Sequence, residues 1–131
     1  MEILNPPGWP RPRGYSNGVA ATGRIVAVSG QIGWDPATER LVSSDFAAQA
    51  DRALENVISV LAAGGATPAH VVRLTWFVTD RAAYVAARSA LSSIYRKHFG
   101  THYPAMSVIF VTSLVEEGAL VEIEGTAVVP E

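Results

Sequence analysis

Residues 45–78 read DFAAQADRALENVISVLAAGGATPAHVVRLTWFV, and this stretch decides the fold. Asp45 is a residue type that caps a helix N-terminus, because its carboxylate can accept from a free N–H of the first turn. Behind it Phe46, Ala50, Ala53, Leu54, Val57 and Leu61 recur at three- and four-residue spacing, which marks one face of a helix. Gly64 and Gly65 supply the stop. VVRLTWFV, residues 71–78, is rich in β-branched and aromatic side chains and reads as a strand. Its alternation puts Arg73 and Thr75 on one face, Leu74 and Trp76 on the other.

Downstream, Thr79 or Asp80 caps a second helix over roughly 81–99, with Tyr84, Ala87, Leu91, Ile94 and Tyr95 as its buried stripe. After GTHYP the run MSVIFV, residues 106–111, predicts a strand; LVEEG is a turn, and ALVEIEGTAVV a final strand. Upstream, NPPGWPRPRG at 5–14 holds four of the eight prolines and reads as an irregular lead-in. RIVAV at 24–28 is a short strand ended by a turn at SGQIG, and WDPATERL is a turn and loop. The order is strand, strand, helix, strand, helix, strand, strand. This is an α+β arrangement, a mixed sheet with two helices on one face. On the last strand Val121, Ile123 and Gly125 face one way, Glu122, Glu124 and Thr126 the other. A sheet covered on one face by its own helices must wet the second face or pair it with another subunit.

Composition favours pairing. Apolar residues are 49% of the chain and charged residues 17%, and a surplus of apolar surface in a small protein is most cheaply buried at a subunit interface. The length, 131 residues, is that of one domain, 1–131. Ten Lys and Arg against twelve Asp and Glu give a formal charge of −2, and the basic residues are scattered. A nucleic-acid partner is not expected, since phosphate contacts normally demand a basic face. The chain has no cysteine, which removes disulfides, thiolate metal sites and cysteine nucleophiles. His70, His98 and His102 form no recognised metal motif and read as surface or packing residues. Neither a metal nor an organic cofactor is expected. MEILNPPGWPRPRG lacks the layout of a signal peptide, and no apolar run approaches the roughly 20 residues that span a bilayer. Cytoplasmic residence, with no membrane partner, is the expectation.

Six segments in order, YSNGV (15–19), VSGQIG (28–33), QADRALENVISVLAAGGA (49–66), VVRLTWFVTD (71–80), YPA (103–105) and VEIEGTAV (121–128), resemble the Rid family (RidA/YjgF type, also labelled endoribonuclease L-PSP) almost from end to end. The resemblance implies a fold like trimeric chorismate mutase: a homotrimer with small-molecule clefts between neighbouring subunits. It implies hydrolysis of reactive imines or enamines, such as 2-aminoacrylate, to ketoacids and ammonia. Carried over residue by residue, the family cleft corresponds to Tyr15, Ser29, Gly30, Arg73, Ser107 and Glu122.

The sequence departs from that pattern at one decisive position. Active deaminases of the family read PAR, and the arginine grips the substrate carboxylate in a bidentate fork. This chain reads Tyr103-Pro104-Ala105-Met106. A thioether carries no charge and donates no hydrogen bond. Losing a desolvated Arg–carboxylate pair costs about 2–5 kcal/mol of binding, so the standard amino-acid-derived imine is not the expected substrate. Arg88 is a second departure: either a migrated cation or a solvated helix residue.

Glu122 is the candidate catalytic group, because imine hydrolysis needs a carboxylate that can take a proton from water and return one to the departing nitrogen. The competing assignment is a structural carboxylate paired with Arg73 or a backbone amide; Glu124 reads as structural. Tyr15 is either a ligand hydrogen-bond partner or packing. Arg73 either meets an anionic group or forms an interfacial salt bridge. Ser29 and Gly30 offer backbone N–H groups, unless Gly30 serves only its dihedral angles. Met106 makes the cleft floor apolar, suiting a neutral or aromatic ligand. Trp34 is a candidate for the cleft mouth. Two functions compete: an imine or enamine deaminase with an altered substrate, and a trimer that binds a small molecule without chemistry. Ribonuclease activity, a label within the family, is disfavoured by the acidic balance.

Overall fold

The computed structural model describes residues 1–131. Helix α1 (Phe46–Ala63) shows why the periodic stretch folds as it does. Asp45 Oδ2 accepts from Ala48 N–H at 3.0 Å. All six predicted apolar positions, Phe46, Ala50, Ala53, Leu54, Val57 and Leu61, are buried. Gly64 closes the last turn through Val60 and Leu61 carbonyls, and Gly65 leaves the helix with φ +75°, a conformation that side chains with a Cβ resist.

In chain order the elements are β1 (Glu2–Leu4), β2 (Gly18–Ala20), β3 (Arg24–Ile32), β4 (Trp34–Asp35), β5 (Arg40–Leu41), α1 (Phe46–Ala63), β6 (Val71–Val78), α2 (Arg81–Ala86), α3 (Arg88–Phe99), β7 (Ala105–Phe110) and β8 (Val121–Val129). A single 3-10 turn, Pro68–His70, joins α1 to β6. The main sheet has the order β3-β8-β6-β7, with β6 and β7 parallel and the other pairs antiparallel. This is the mixed α+β sheet expected, with the helices on one face.

Register fixes the two faces. Val28, Gly125, Leu74 and Met106 lie in one row, and Ile123, Trp76 and Val108 in the next; both rows face the helices. Thr126, Arg73 and Ala105 form a row on the reverse face, as do Glu124, Thr75 and Ser107, and Ile32, Glu122, Phe77 and Ile109. The helix face carries the core, including Leu54, Leu61, Leu74, Trp76, Val121 and Ile123. On the reverse face Ile25, Ala27, Ser107, Ile109 and Glu124 are exposed, so nothing in the chain covers it.

Four expectations change. The strand begun at Arg24 does not end in a turn at SGQIG; it runs to Ile32 through a β-bulge between Val28 and Gln31, which absorbs the extra residues while keeping the ladder with β8. WDPATERL is a small hairpin, with Trp34–Leu41 and Asp35–Arg40 pairs around a turn in which Glu39 takes φ +58°. The stretch before Tyr15 is bracketed by a short ladder, Glu2 to Leu4 against Ala20 to Gly18. The helix expected over 81–99 is broken at Ala87, which ends α2 and starts α3. Asp80 caps α2 through Ala83 N–H at 3.0 Å.

Two buried polar residues of α1 tie these layers together. Gln49 Nε2 donates to Ser43 O at 2.9 Å and Gly118 O at 3.0 Å, while its Oε1 accepts from Leu120 N–H at 2.8 Å. Asn56 Nδ2 donates to Ile32 O at 3.1 Å and Trp34 O at 2.9 Å. Each replaces a missing backbone partner for irregular chain, which is how a buried amide escapes its desolvation cost. No helix is long and apolar enough to cross a membrane.

Candidate functional site

The proposed site residues divide between the two faces of the sheet. Glu122 is half-buried on the uncovered face. A Cβ built on Gly30 would lie 2.6 Å from the Glu122 carboxylate carbon and one of its oxygens. The bulge therefore brings the Gly30 backbone against the carboxylate, and glycine is required there for space. Its φ is not positive, so the alternative of a dihedral requirement falls. Ser29 is exposed beside it, and Gln31 Nε2 donates to its carbonyl at 3.2 Å and its hydroxyl at 3.3 Å.

Arg73 and Ser107 share this face but not this spot. Arg73 is exposed and makes no ion pair. Its row is that of Thr126, whereas Glu122 stands opposite Phe77. Four residues along a strand is roughly 13 Å, so a Glu122–Arg73 pair does not form within the chain. Ser107, in the row of Thr75, is exposed between them.

Tyr15, Arg88 and Met106 meet on the helix face, in a cavity of about 460 Å³. Its sheet wall is Trp76, Met106 and Val108; its helix wall is Tyr84, Arg88, Leu91, Ser92 and Tyr95; the rim is Arg13, Gly14, Tyr15 and Tyr103. Met106 is partly buried against the core and contributes apolar surface, as its thioether predicts. Tyr15 is held at the rim by its neighbour: Ser16 bridges to Ala105, its N–H donates to Pro104 O at 3.0 Å, and its hydroxyl donates to Tyr103 O. Tyr95 and Tyr103 stack with centroids 5.3 Å apart, and Tyr84 meets Phe110 edge-on at 5.8 Å. Tyr95 donates its hydroxyl to His102 O at 2.7 Å, and burial, with the neighbouring Tyr103, pushes its ionisation well above the ordinary tyrosine range.

A second hollow, of about 570 Å³, lies next to the first under the N-terminal ladder and shares Gly14, Tyr15 and Tyr103 with it. Trp34, the candidate for a cleft mouth, lines neither. The histidines have structural partners: His98 Nε2 donates to Asp51 Oδ1 at 2.6 Å, and His102 Nε2 to Val71 O at 2.7 Å. His70 Nδ1 accepts from Thr67 N–H at 3.0 Å. No group of three or more His, Asp or Glu side chains is placed to hold a metal ion.

Sequence reasoning did not find Arg13, Tyr84, Tyr95 and Tyr103 as cavity residues. The aromatic stripe of the second helix was legible, but periodicity alone does not separate a side chain packed in the core from one bounding a hollow beside it. Arg13 sits in a proline-rich stretch with no periodicity at all.

The sequence profile described as Endoribonuclease L-PSP matches residues 10–129. Over 115 residues the chain is 39% identical to protein DfrA of Myxococcus xanthus, covering 87% of this chain and 84% of that one. It is 33% identical over 114 residues to the human 2-iminobutanoate/2-iminopropanoate deaminase, covering 87% and 79%. Among solved structures, YyfB of the conserved Rid protein family from Yersinia pestis superposes with a TM-score of 0.86 at 34% identity, covering 98% of both chains. A fold shared across its whole length, and a profile match over 10–129, place the chain in the endoribonuclease L-PSP family, the group also known as Rid.

Proposed function

We propose that this protein hydrolyses a small reactive imine or enamine in clefts formed between the subunits of a homotrimer, and that 2-aminoacrylate is not its substrate. The observation that carries this reading is the Glu122 carboxylate, half-buried against Gly30 on the face that the chain's own helices leave uncovered. A neighbouring subunit laid on that face brings Glu122 of one protomer toward the Tyr15–Arg88–Met106 cavity of the next. Neither half is a complete site alone. The human and other mammalian relatives carry names of imine deaminases, which supports the reaction class.

In the proposed reaction Glu122 takes a proton from a water whose oxygen attacks the C=N carbon. It returns that proton to the nitrogen, giving the neutral aminoalcohol; the carboxylate then takes the hydroxyl proton and passes it to the same nitrogen as the C–N bond breaks, so that ammonia and a carbonyl product leave. One carboxylate serves both transfers because the proton it takes is the proton it returns. Ser29 and Gly30 flank the attack site through backbone N–H groups, and Tyr15 lies at the rim as a hydrogen-bond partner. Arg73 and Ser107 lie further along the same face and bound the cleft. Met106 leaves the strand wall without the cation that would grip a carboxylate beside the reacting carbon. That same residue favours the second reading, a trimer that binds its ligand without turnover.

The test is ammonia release from 2-aminoacrylate, generated in situ by a PLP-dependent lyase. We expect the wild type to be silent, Met106→Arg to gain activity, and Met106→Arg combined with Glu122→Gln to lose it again. Wild-type activity would show that Met106 has been misread; a Met106→Arg variant indifferent to Glu122→Gln would remove Glu122 from the chemistry.

A further inference from the structure

We propose that Arg88, flanked by Arg13, is the anion anchor of the helix-side cavity, and that the occupant is a carboxylate with a flat apolar body. This deepens the function proposed above and rests on the cavity being half of the ligand cleft.

The chain as a whole is acidic, with twelve Asp and Glu, yet none of the cavity's twelve lining residues is an acid, while two are arginines. Neither Arg13 nor Arg88 is engaged in an ion pair. Unpaired arginines on a convex surface mean little, because water solvates them. Two that line one concave space among largely apolar groups are different: low-dielectric walls strengthen their field, and the one Glu122 carboxylate that a neighbouring subunit would add does not balance both, so an anionic ligand is favoured.

Arg88 is the first residue of α3, just past the break at Ala87, and lines the cavity from the helix side, whereas Met106 lines it from the sheet. An anchor on the strand would hold a carboxylate next to the sheet. An anchor at Arg88 holds it against the helices, so the ligand must span the hollow to reach the reacting side.

All four tyrosines of the chain line this cavity, together with the buried Trp76. The stacked Tyr95–Tyr103 pair presents planar surface, and the Trp76 indole N–H is buried with no acceptor in the chain. Flat walls select a flat body. A volume of about 460 Å³ falls within the range of roughly 300–1,000 Å³ typical of sites for larger organic ligands, and a three-carbon acid would leave most of it unfilled.

The experiment is calorimetric titration of the intact protein with 3-phenylpropionate, 3-phenylpropionamide and propionate, at low and high salt. Binding is read here without turnover, so absent binding overturns this proposal while absent ammonia release overturns the catalytic one, and the two fail separately. We expect the aromatic acid to bind roughly tenfold or more tightly than either the amide or the short acid. Arg88→Gln should abolish the preference for acid over amide, Arg88→Lys should keep part of it, and Arg13→Gln should weaken it. Arg88 is exposed, so these variants should fold, with circular dichroism as the check. No detectable binding of 3-phenylpropionate, equal affinity for acid and amide, or an Arg88→Gln protein with its acid preference intact would each overturn the proposal.

Discussion

A single hydrogen on Gly30 separates an open approach to Glu122 from a clash at 2.6 Å. Gly30→Ala must therefore displace the carboxylate. Since Glu122 is only half-buried, it has room to yield, and we expect the protein to fold with little loss of stability. The chemistry should suffer more: a displacement of about 1 Å can cost on the order of a hundredfold in rate. Activity of Met106→Arg with and without Gly30→Ala is the measurement. At this scale the sequence was informative about residue identity and poor about cause. Glu122, Gly30, Tyr15 and Met106 stand out by resemblance, but the reason for Gly30 is a contact with a strand about ninety residues away, which no local pattern encodes. Arg88 could be read either as a cation in a cleft or as a solvated residue, and the fold brings it to the edge of a cavity.

Elements with a clear period were legible because burial imposes the period. The apolar face of α1 and the bounds of β6 follow directly from spacing. Elements defined by irregularity were not: the β3 bulge answers to β8, distant in sequence, while the β4–β5 hairpin and the break at Ala87 are local but carry no period. The buried amides of Gln49 and Asn56 belong to the same class, since Gln49 answers to loop carbonyls and Asn56 to carbonyls at the β3–β4 junction, which periodicity does not see. The contact between α1 and α3 adds an electrostatic clamp. Asp51 meets Lys97 at 2.7 Å and His98 at 2.6 Å. Burial alone would raise the Asp51 pKa, but the hydrogen bonds and charges of Lys97 and His98 outweigh it and lower it below the ordinary aspartate value. A depressed carboxylate stabilises the fold above its unfolded-state pKa, and that contribution is lost as pH falls through the folded value. Asp51→Asn should therefore cost stability at neutral pH. The gap between variant and wild type should close on acidification below the usual aspartate range, as followed by denaturant midpoints from pH 7 downward.

For the molecule as a whole, two helices on one face anticipated a sheet whose other face the chain itself does not cover, and Ile25 and Ile109 are exposed there. What composition could not reveal is that the candidate site lies on both sides of that sheet. Glu122 with Gly30 faces away from the helices, while Arg88 with Met106 faces toward them, so on the proposed reading one protomer offers two half-sites on opposite faces of its sheet. This has a genetic consequence. Starting from the active Met106→Arg background, a subunit disabled by Glu122→Gln still carries a sound helix-side half, and a subunit disabled on the helix side still carries a sound carboxylate. Two inactive proteins, denatured and refolded together, should complement each other. Random assembly in a closed ring would pair sound halves at roughly a quarter of the clefts, and the mixture should regain about that fraction of activity.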